Sequence, residues 1–235
     1  MLDTTNLLWY GEITVEFLFC LYLVWTQVAK LYPVFTVCIG CSVVRSLAAM
    51  YFMRGAVGPR LPLVYTYFWL WSEPIWLLLQ VAVAWEVHTK MWKDHRELLQ
   101  RTRSLLLFAL LTALTAAAIP LRSEVTRHGT GLVPAMHFGI TATRYVSSVL
   151  AIFLILSAIL YFVVVGNGRL NGVSVVRHEA MMAAYFAIYA LAAFLIGIGW
   201  AFADSINRYF LSALTLCFVA WFSALKQQPL ANDQN

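Results

Sequence analysis

The sequence predicts an all-α fold, a polytopic integral membrane protein built as a seven-transmembrane-helix bundle. Of its 235 residues, 62% are hydrophobic and only 11% are charged, whereas about a quarter of the residues in a soluble domain carry charge. Apolar runs long enough to cross a bilayer, about 20 residues each, recur along the whole chain. The stretches between them are too short for a soluble domain. We therefore expect no nucleic acid partner, although the formal net charge is +5.

The apolar runs place the helices within one transmembrane domain, residues 1–235. We predict spans at 7–29, 32–52, 62–88, 104–120, 133–165, 178–203 and 206–224, followed by a short polar C-terminal tail, 225–235. The first span lacks a cleavage signature and is expected to remain as a membrane helix. The last two spans are separated by little more than Asp204-Ser205, so a single broken helix there is an alternative.

The distribution of basic residues predicts the orientation. Nine Lys and Arg residues fall on one side of the predicted bundle and five on the other. Since cytoplasmic loops carry the excess of Lys and Arg, this favours an N-terminus outside and a C-terminus inside a plasma membrane or bacterial inner membrane. The excess comes mainly from the predicted linker 89–103. We expect its basic residues to meet anionic lipid headgroups or a cytoplasmic or membrane protein partner: Lys90, Lys93, Arg96, Arg101 and Arg103.

Charged residues inside the apolar runs are the main functional signal. A helical rise of about 1.5 Å per residue places five of them in the outer half of the bilayer: Glu12, Glu16, Arg45, Glu73 and Arg144. Buried charges in membranes are usually neutralised by one another, so we predict one cluster. Pro74 directly follows Glu73 and is expected to bend that helix.

Helical spacing adds further residues to the predicted cluster. Trp69, Trp76 and Gln80 share a helix face with Glu73, and His137 shares a face with Thr141, Arg144 and Ser148. Two interpretations of the cluster remain open. It is either a set of structural ion pairs or a ligand-binding site, in which the excess of acid over base leaves one carboxylate to bind a proton, a cation or an amine.

Other polar residues have less specific patterns. Cys38 and Cys41 have the C-x-x-C spacing of redox motifs, but they lie inside an apolar run, where close helix packing also explains them. Glu86, His88, Arg177, His178 and Glu179 are expected to form a solvated rim at the inner ends of the helices. Tryptophans near the span ends suit an interfacial aromatic belt: Trp25, Trp85, Trp92, Trp200 and Trp221.

No cofactor or metal site is indicated by the sequence. A retinal pigment needs a lysine midway along its last helix, and Lys226 lies beyond the last span. No two histidines have the i, i+4 spacing of a helical metal pair, which argues against haem or a metal. We expect a non-enzymatic protein with an outward-facing polar pocket, either a ligand-binding or sensory component or an accessory subunit of a membrane complex. The alternatives are a secondary transporter using an intramembrane carboxylate, and an intramembrane oxidoreductase using the two cysteines.

Overall fold

The computed structural model describes residues 4–54, 61–165, 170–198 and 203–226, and these residues form helices without strands. Seven helices have 22 residues or more, and one has four. In chain order they are α1 (Thr4–Trp25), α2 (Val28–Leu31), α3 (Pro33–Arg54), α4 (Leu61–Met91), α5 (Arg96–His128), α6 (Leu132–Val165), α7 (Leu170–Ile198) and α8 (Ala203–Lys226).

Two of the predicted connections are wrong because the helices continue through them. The predicted linker 89–103 is helical except for the turn 92–95, and the connection expected between the predicted spans 104–120 and 133–165 is helical to His128. Arg, Glu, Leu and Gln are good helix formers, so charge marks where a helix leaves the apolar layer rather than where it ends. The predicted tail begins inside α8, and its residues 227–235 lie outside the described residues.

The predicted first span is interrupted near its end. α1 stops at Trp25, and Gln27 adopts a left-handed conformation with φ 59° before α2 begins. The left-handed region is costly for a residue with a side chain, so the turn ends the helix. α2 then leads directly to Pro33, the first residue of α3.

α4 is the central helix and packs against α3, α6 and α7, with α5 near its C-terminal end. The contacts of α4 with its neighbours show which of them run parallel to it and which run antiparallel. Residues 73 and 86 of α4 meet residues 45 and 35 of α3, so those two helices are antiparallel. Residues 73 and 88 meet residues 143 and 157 of α6, so that pair is parallel. We call the two ends of the bundle the Glu73 half and the His88 half.

The last two helices form an antiparallel pair. Tyr189 packs on Phe210 and His178 packs on Trp221, with ring centroids 5.0 and 5.2 Å apart. A single broken helix would keep these residues far apart. The alternative of one broken helix is therefore wrong, although the connecting residues 199–202 lie outside the described part of the chain.

Six of the described helices are long and apolar enough to cross a membrane, which makes the chain a multi-pass membrane protein. The segments are Leu7–Trp25, Pro33–Phe52, Arg96–Arg127, Leu132–Val165, Val176–Leu195 and Ser205–Leu225. α4 is also long enough, at 31 residues, but is not among these six segments, and its first half carries Tyr, Trp, Ser, Glu and Pro. α4 is continuous across Pro74.

Glu86 of α4 caps the start of α3 and predicts a local stability effect. Its carboxylate oxygens accept hydrogen bonds from the backbone N–H groups of Val34 and Phe35 at 3.2 and 2.9 Å. Capping a helix N-terminus is worth about 0.5–2 kcal/mol. We expect Glu86→Ala to lower the free energy of unfolding by about 1–2 kcal/mol, measured by denaturation in mixed detergent micelles. Lys93→Ala, at an exposed position, is the control, and equal stability of the two variants would contradict the capping role.

Candidate functional site

Arg45 and Glu73 form an ion pair between α3 and α4 in the Glu73 half. The Arg45 guanidinium donates to Glu73 and, through Nε, to the Ser72 hydroxyl at 3.2 Å. The Thr143 hydroxyl of α6 approaches the other Glu73 oxygen at 2.5 Å. Glu73 is 4% exposed. Because each of its oxygens has a donor, the carboxylate is neutralised and held at the junction of three helices.

Glu12 and Glu16 form a second, separate group on α1. They are 4% and 0% exposed, lie one helical turn apart and are within hydrogen-bonding reach of each other. Ser42 of α3 donates to Glu16 Oε1 at 2.8 Å, while Glu16 Oε2 has no hydrogen-bond partner among the described residues. No Lys or Arg of the described residues forms an ion pair with either acid. Among the described residues, these two buried carboxyl groups therefore have no counter-ion.

Other residues of the predicted cluster surround the ion pair. Trp76 is 2% exposed, and the Arg45 guanidinium lies 5.5 Å from its ring centroid, so the protein's own cation already covers this aromatic face. The Trp69 ring packs closely against Gly139, where an added Cβ would lie 3.1 Å from it. Gln80 is fully buried, accepts from Ser147 at 3.4 Å and leaves its Nε2 without a partner in the described structure.

The predicted face of α6 is wrong. His137 is exposed and Arg144 is only half-buried, whereas Thr143, Ser147, Leu150 and Leu154 of the same helix are buried. The helix is rotated so that its small hydroxyl and apolar residues, which pack closely, face α4 and α7. The Arg144 guanidinium lies over the Tyr145 and Phe194 rings at 4.9 and 5.7 Å, and it forms no ion pair with an acid among the described residues.

A third polar group is buried in the His88 half, where the sequence predicted a solvated rim. His88, His178 and Glu179 are at most 1% exposed, so that prediction is wrong for all three. His88 is enclosed by residues of α5 and α6, and the His178 ring packs against Tyr32, Phe35 and Trp221. Two tryptophans assigned to the aromatic belt, Trp92 and Trp221, are also fully buried here.

Hydrogen bonds hold the histidines of this third group in place. Trp92 donates its indole N–H to the Ser157 hydroxyl, and Ser157 contacts His88 Nδ1, both at 2.9 Å. His88 Nε2 contacts the Thr102 hydroxyl at 2.8 Å. On α8, Trp221 donates to His178 Nδ1 at 2.9 Å. Both oxygens of Glu179 and Nε2 of His178 lack hydrogen-bond partners among the described residues.

The predicted basic segment divides into inward and outward residues. Lys90 lies 3.9 Å from Glu86 and 4.4 Å from the Tyr32 ring, and Arg103 donates to Thr89 and covers the Trp85 ring. Lys93, Arg96 and Arg101 are exposed. Lys90 and Arg103 are half-buried, so these last three are the most exposed of the five.

Comparison with known proteins adds no family. No protein-family model, curated protein or solved structure matches this chain. Within the described residues, no three His, Cys, Asp or Glu side chains are placed to hold a metal ion, and Cys38 and Cys41 are free thiols, the first buried and the second exposed.

Sequence reasoning missed the hydroxyl groups that hold these sites. Ser42, Thr143 and Ser157 each contact a buried acid or histidine. Gly139, Thr143 and Ser147 recur at i, i+4 and i+8 and thereby mark one face of α6. This spacing of small polar residues is the signal that could have found the buried face.

Proposed function

We propose that this multi-pass protein binds a proton or a small cation at Glu12 and Glu16, as a non-enzymatic binding or sensory component of the membrane. The observation that carries the proposal is the burial of both carboxyl groups without a basic partner in the part of the chain that the structure describes. Arg45 is already engaged by Glu73. Two like charges one helical turn apart and away from water are costly. A proton or a monovalent cation shared by the pair removes one of them.

We further propose that α4 is the seventh transmembrane helix. α4 lies parallel to α6 and in contact with it from residue 73 to residue 88, over a length of about 22 Å at about 1.5 Å per residue. Because α6 is one of the six long apolar helices, α4 would lie at the same depth in the bilayer. Seven crossings put the chain ends on opposite sides. The exposed Lys93, Arg96 and Arg101 favour a cytoplasmic His88 half, and hence an outward-facing Glu73 half, in a plasma membrane or bacterial inner membrane.

Carboxyl-selective labelling tests the proposed binding site. Dicyclohexylcarbodiimide enters apolar regions and reacts with protonated carboxyl groups. We expect it to modify Glu12 or Glu16 in the protein reconstituted in lipid nanodiscs, as located by peptide mass spectrometry. Glu73 is a control within the same chain because it is ion-paired with Arg45, and Glu97 is an exposed acid in contact with water. Neither should react.

Competition separates a cation from a proton as the ligand. Sodium, potassium, lithium or tetramethylammonium chloride is added at constant ionic strength and pH. Slower labelling in one salt alone identifies that cation, and equal labelling in all four identifies the proton. Labelling absent from both Glu12 and Glu16, or equally strong at Glu73, would refute the proposed site.

The exposed basic residues of the His88 half have their own proposed role. Lys93, Arg96 and Arg101 lie at the turn between α4 and α5, where anionic headgroups would meet them. We expect Lys93→Gln/Arg96→Gln/Arg101→Gln to reduce the anionic lipid that co-purifies with the protein. The exposed polar triple variant Gln100→Ala/Thr112→Ala/Ser123→Ala is the control. Unchanged lipid, or a lost protein partner instead, would refute the headgroup role.

A further inference from the structure

Arg144 is a cation on the long apolar helix α6, and it has no ion-pair partner among the described residues. Its side chain is half-buried, and its Nε is buried without a hydrogen-bond partner in the described structure. The guanidinium lies over the Tyr145 and Phe194 rings. Aromatic rings attract a guanidinium, but they supply no negative charge, and arginine keeps its own charge in proteins. A charge left uncompensated in the apolar layer is costly.

Contacts between helices place Arg144 well inside the apolar layer. The neighbouring residue Thr143 contacts Glu73, and Glu73 is paired with Arg45. On α3, Arg45 lies before Phe52, the last residue of the apolar segment of that helix. The distance between these two residues is about 10 Å along the helix axis. Arg144 therefore lies about 10 Å below the edge of the apolar layer in the Glu73 half.

Arg144 belongs to a polar face of α6 that the other helices leave uncovered. His137, Thr141, Arg144 and Ser148 have the spacing i, i+4, i+7 and i+11, which places them on one side of the helix. None of the four is buried. Ile155, three helical turns beyond Arg144 on the same side, is 46% exposed. The polar face that was predicted to join the acids is thus turned outwards, where it meets the apolar layer.

The adjoining face of α7 carries small residues. Ala180, Ala187 and Phe194 recur every seven residues, so they lie on one side of the helix. All three are exposed. Since Phe194 lies against the Arg144 guanidinium, this side of α7 is next to the polar face of α6. Alanines at such positions allow the backbone of another membrane helix to approach closely.

We propose that these two adjoining faces bind a transmembrane helix of another protein, which carries an Asp or Glu at the level of Arg144. The carboxylate supplies the missing counter-ion, and the alanines of α7 give the helix room to pack. We call this the Arg144 surface and define it by Arg144, Ser148 and Ile155 of α6 and Ala180, Ala187 and Phe194 of α7. It uses no residue of the acid pair on α1 and is independent of the proposed binding site there.

Lipid headgroups and a second copy of the chain explain the Arg144 surface less well. A phosphate group would neutralise Arg144, but Ala187 and Ala180 lie about 10 and 20 Å further into the layer than Phe194. A symmetric second copy would bring another Arg144 to this surface rather than an acid. The acids that the structure describes as at least partly exposed lie in the His88 half or near the end of α5: Glu86, Asp94, Glu97 and Glu124.

A model transmembrane peptide tests the proposed partner. The peptide is a lysine-flanked helix of leucine and alanine with one glutamate about 10 Å from one end of its apolar stretch. The matched control peptide has glutamine at that position. Energy transfer from a dye on the full-length protein to a dye on the peptide is titrated in phosphatidylcholine vesicles at neutral pH. We expect the glutamate peptide to bind about tenfold more tightly than the glutamine peptide.

Substitutions in the protein locate the contact. Arg144→Gln should bind the two peptides equally. Arg144→Glu should instead prefer a peptide with arginine at the test position, a reversal that a merely structural role of Arg144 would not produce. Ala187→Phe should weaken binding of the glutamate peptide several-fold, because it fills the space for the helix. Ala118→Phe and Arg122→Gln, at exposed positions of α5, are the matched controls and should bind like the unmodified protein.

The remaining outcomes overturn the proposal in distinct ways. Equal binding of the two peptides to the unmodified protein excludes an acidic helix, and a preference that survives Arg144→Gln places the acid elsewhere. Loss of the preference in vesicles containing phosphatidylglycerol assigns Arg144 to headgroups. Energy transfer between two labelled copies of the protein that disappears in Ala187→Phe assigns the surface to self-association. Variants are compared only if they elute as the unmodified protein does on size exclusion. If Arg144→Gln does not, the preference of the unmodified protein and the effect of Ala187→Phe decide the question.

Discussion

Replacing Arg45 with methionine should lower the free energy of unfolding by about 3–5 kcal/mol. The substitution keeps an unbranched apolar chain but leaves Glu73, which is 4% exposed, without its cation. Thr143 cannot compensate, because a hydroxyl supplies one hydrogen and no charge. The effect should appear as a lower transition midpoint in mixed-micelle denaturation, with binding of detergent held constant.

A double substitution separates the ion pair from simple loss of packing. Arg45→Met/Glu73→Gln removes both charges, and it should recover most of the lost stability because no unpaired charge remains. The control is Arg144→Met, since Arg144 lies over aromatic rings and is not ion-paired with Glu73. If the double variant is as unstable as Arg45→Met, the pair does not carry the effect.

Replacing Glu16 with methionine should have the opposite sign and stabilise the protein by about 1–3 kcal/mol. Glu16 is fully buried, has one oxygen without a partner among the described residues and has a second acid one turn away. Methionine has a similar length and removes the unpartnered oxygen. Ser42, which loses its acceptor, can donate to a carbonyl of its own helix turn.

The sign of this change distinguishes a functional acid from a structural one. Residues kept for binding often reduce stability, so Glu16→Met should gain stability while losing carbodiimide labelling at that position. Glu73→Met, the matched control on α4, should lose stability because it strands Arg45. If both substitutions destabilise by similar amounts, Glu16 is a structural residue like Glu73 and the binding proposal fails.

The placement of the charges shows what the local pattern could and could not predict. Helical rise predicts similar depths for Glu12, Glu16, Arg45, Glu73 and Arg144, because depth depends only on position along a helix. Pairing depends on how helices are rotated about their axes and which helices are neighbours. The structure pairs Arg45 with Glu73 and leaves Glu12 with Glu16, and it turns Arg144 towards Tyr145 and Phe194.

In the His88 half, the local sequence pattern did not predict which polar residues are buried. Glu86, His88, His178 and Glu179 lie near the ends of predicted spans, where polar residues usually meet water and headgroups. α4 and α7 continue past those ends, to Met91 and back to Leu170, so their polar residues are covered by neighbouring helices. The Trp221 N–H group then donates to His178, and the Ser157 and Thr102 hydroxyl groups hydrogen-bond with His88.

By itself, the sequence determined that this protein is all-helical, crosses a membrane several times and carries acids within its apolar helices, since hydropathy and helical period are local properties of the chain. Only the tertiary structure decided which acids have counter-ions. Whether a carboxyl group is neutralised depends on the residue that another helix brings beside it. The tertiary arrangement pairs Glu73 with Arg45 and so gives it a structural role. It leaves Glu12, Glu16 and Glu179 buried without a counter-ion among the described residues.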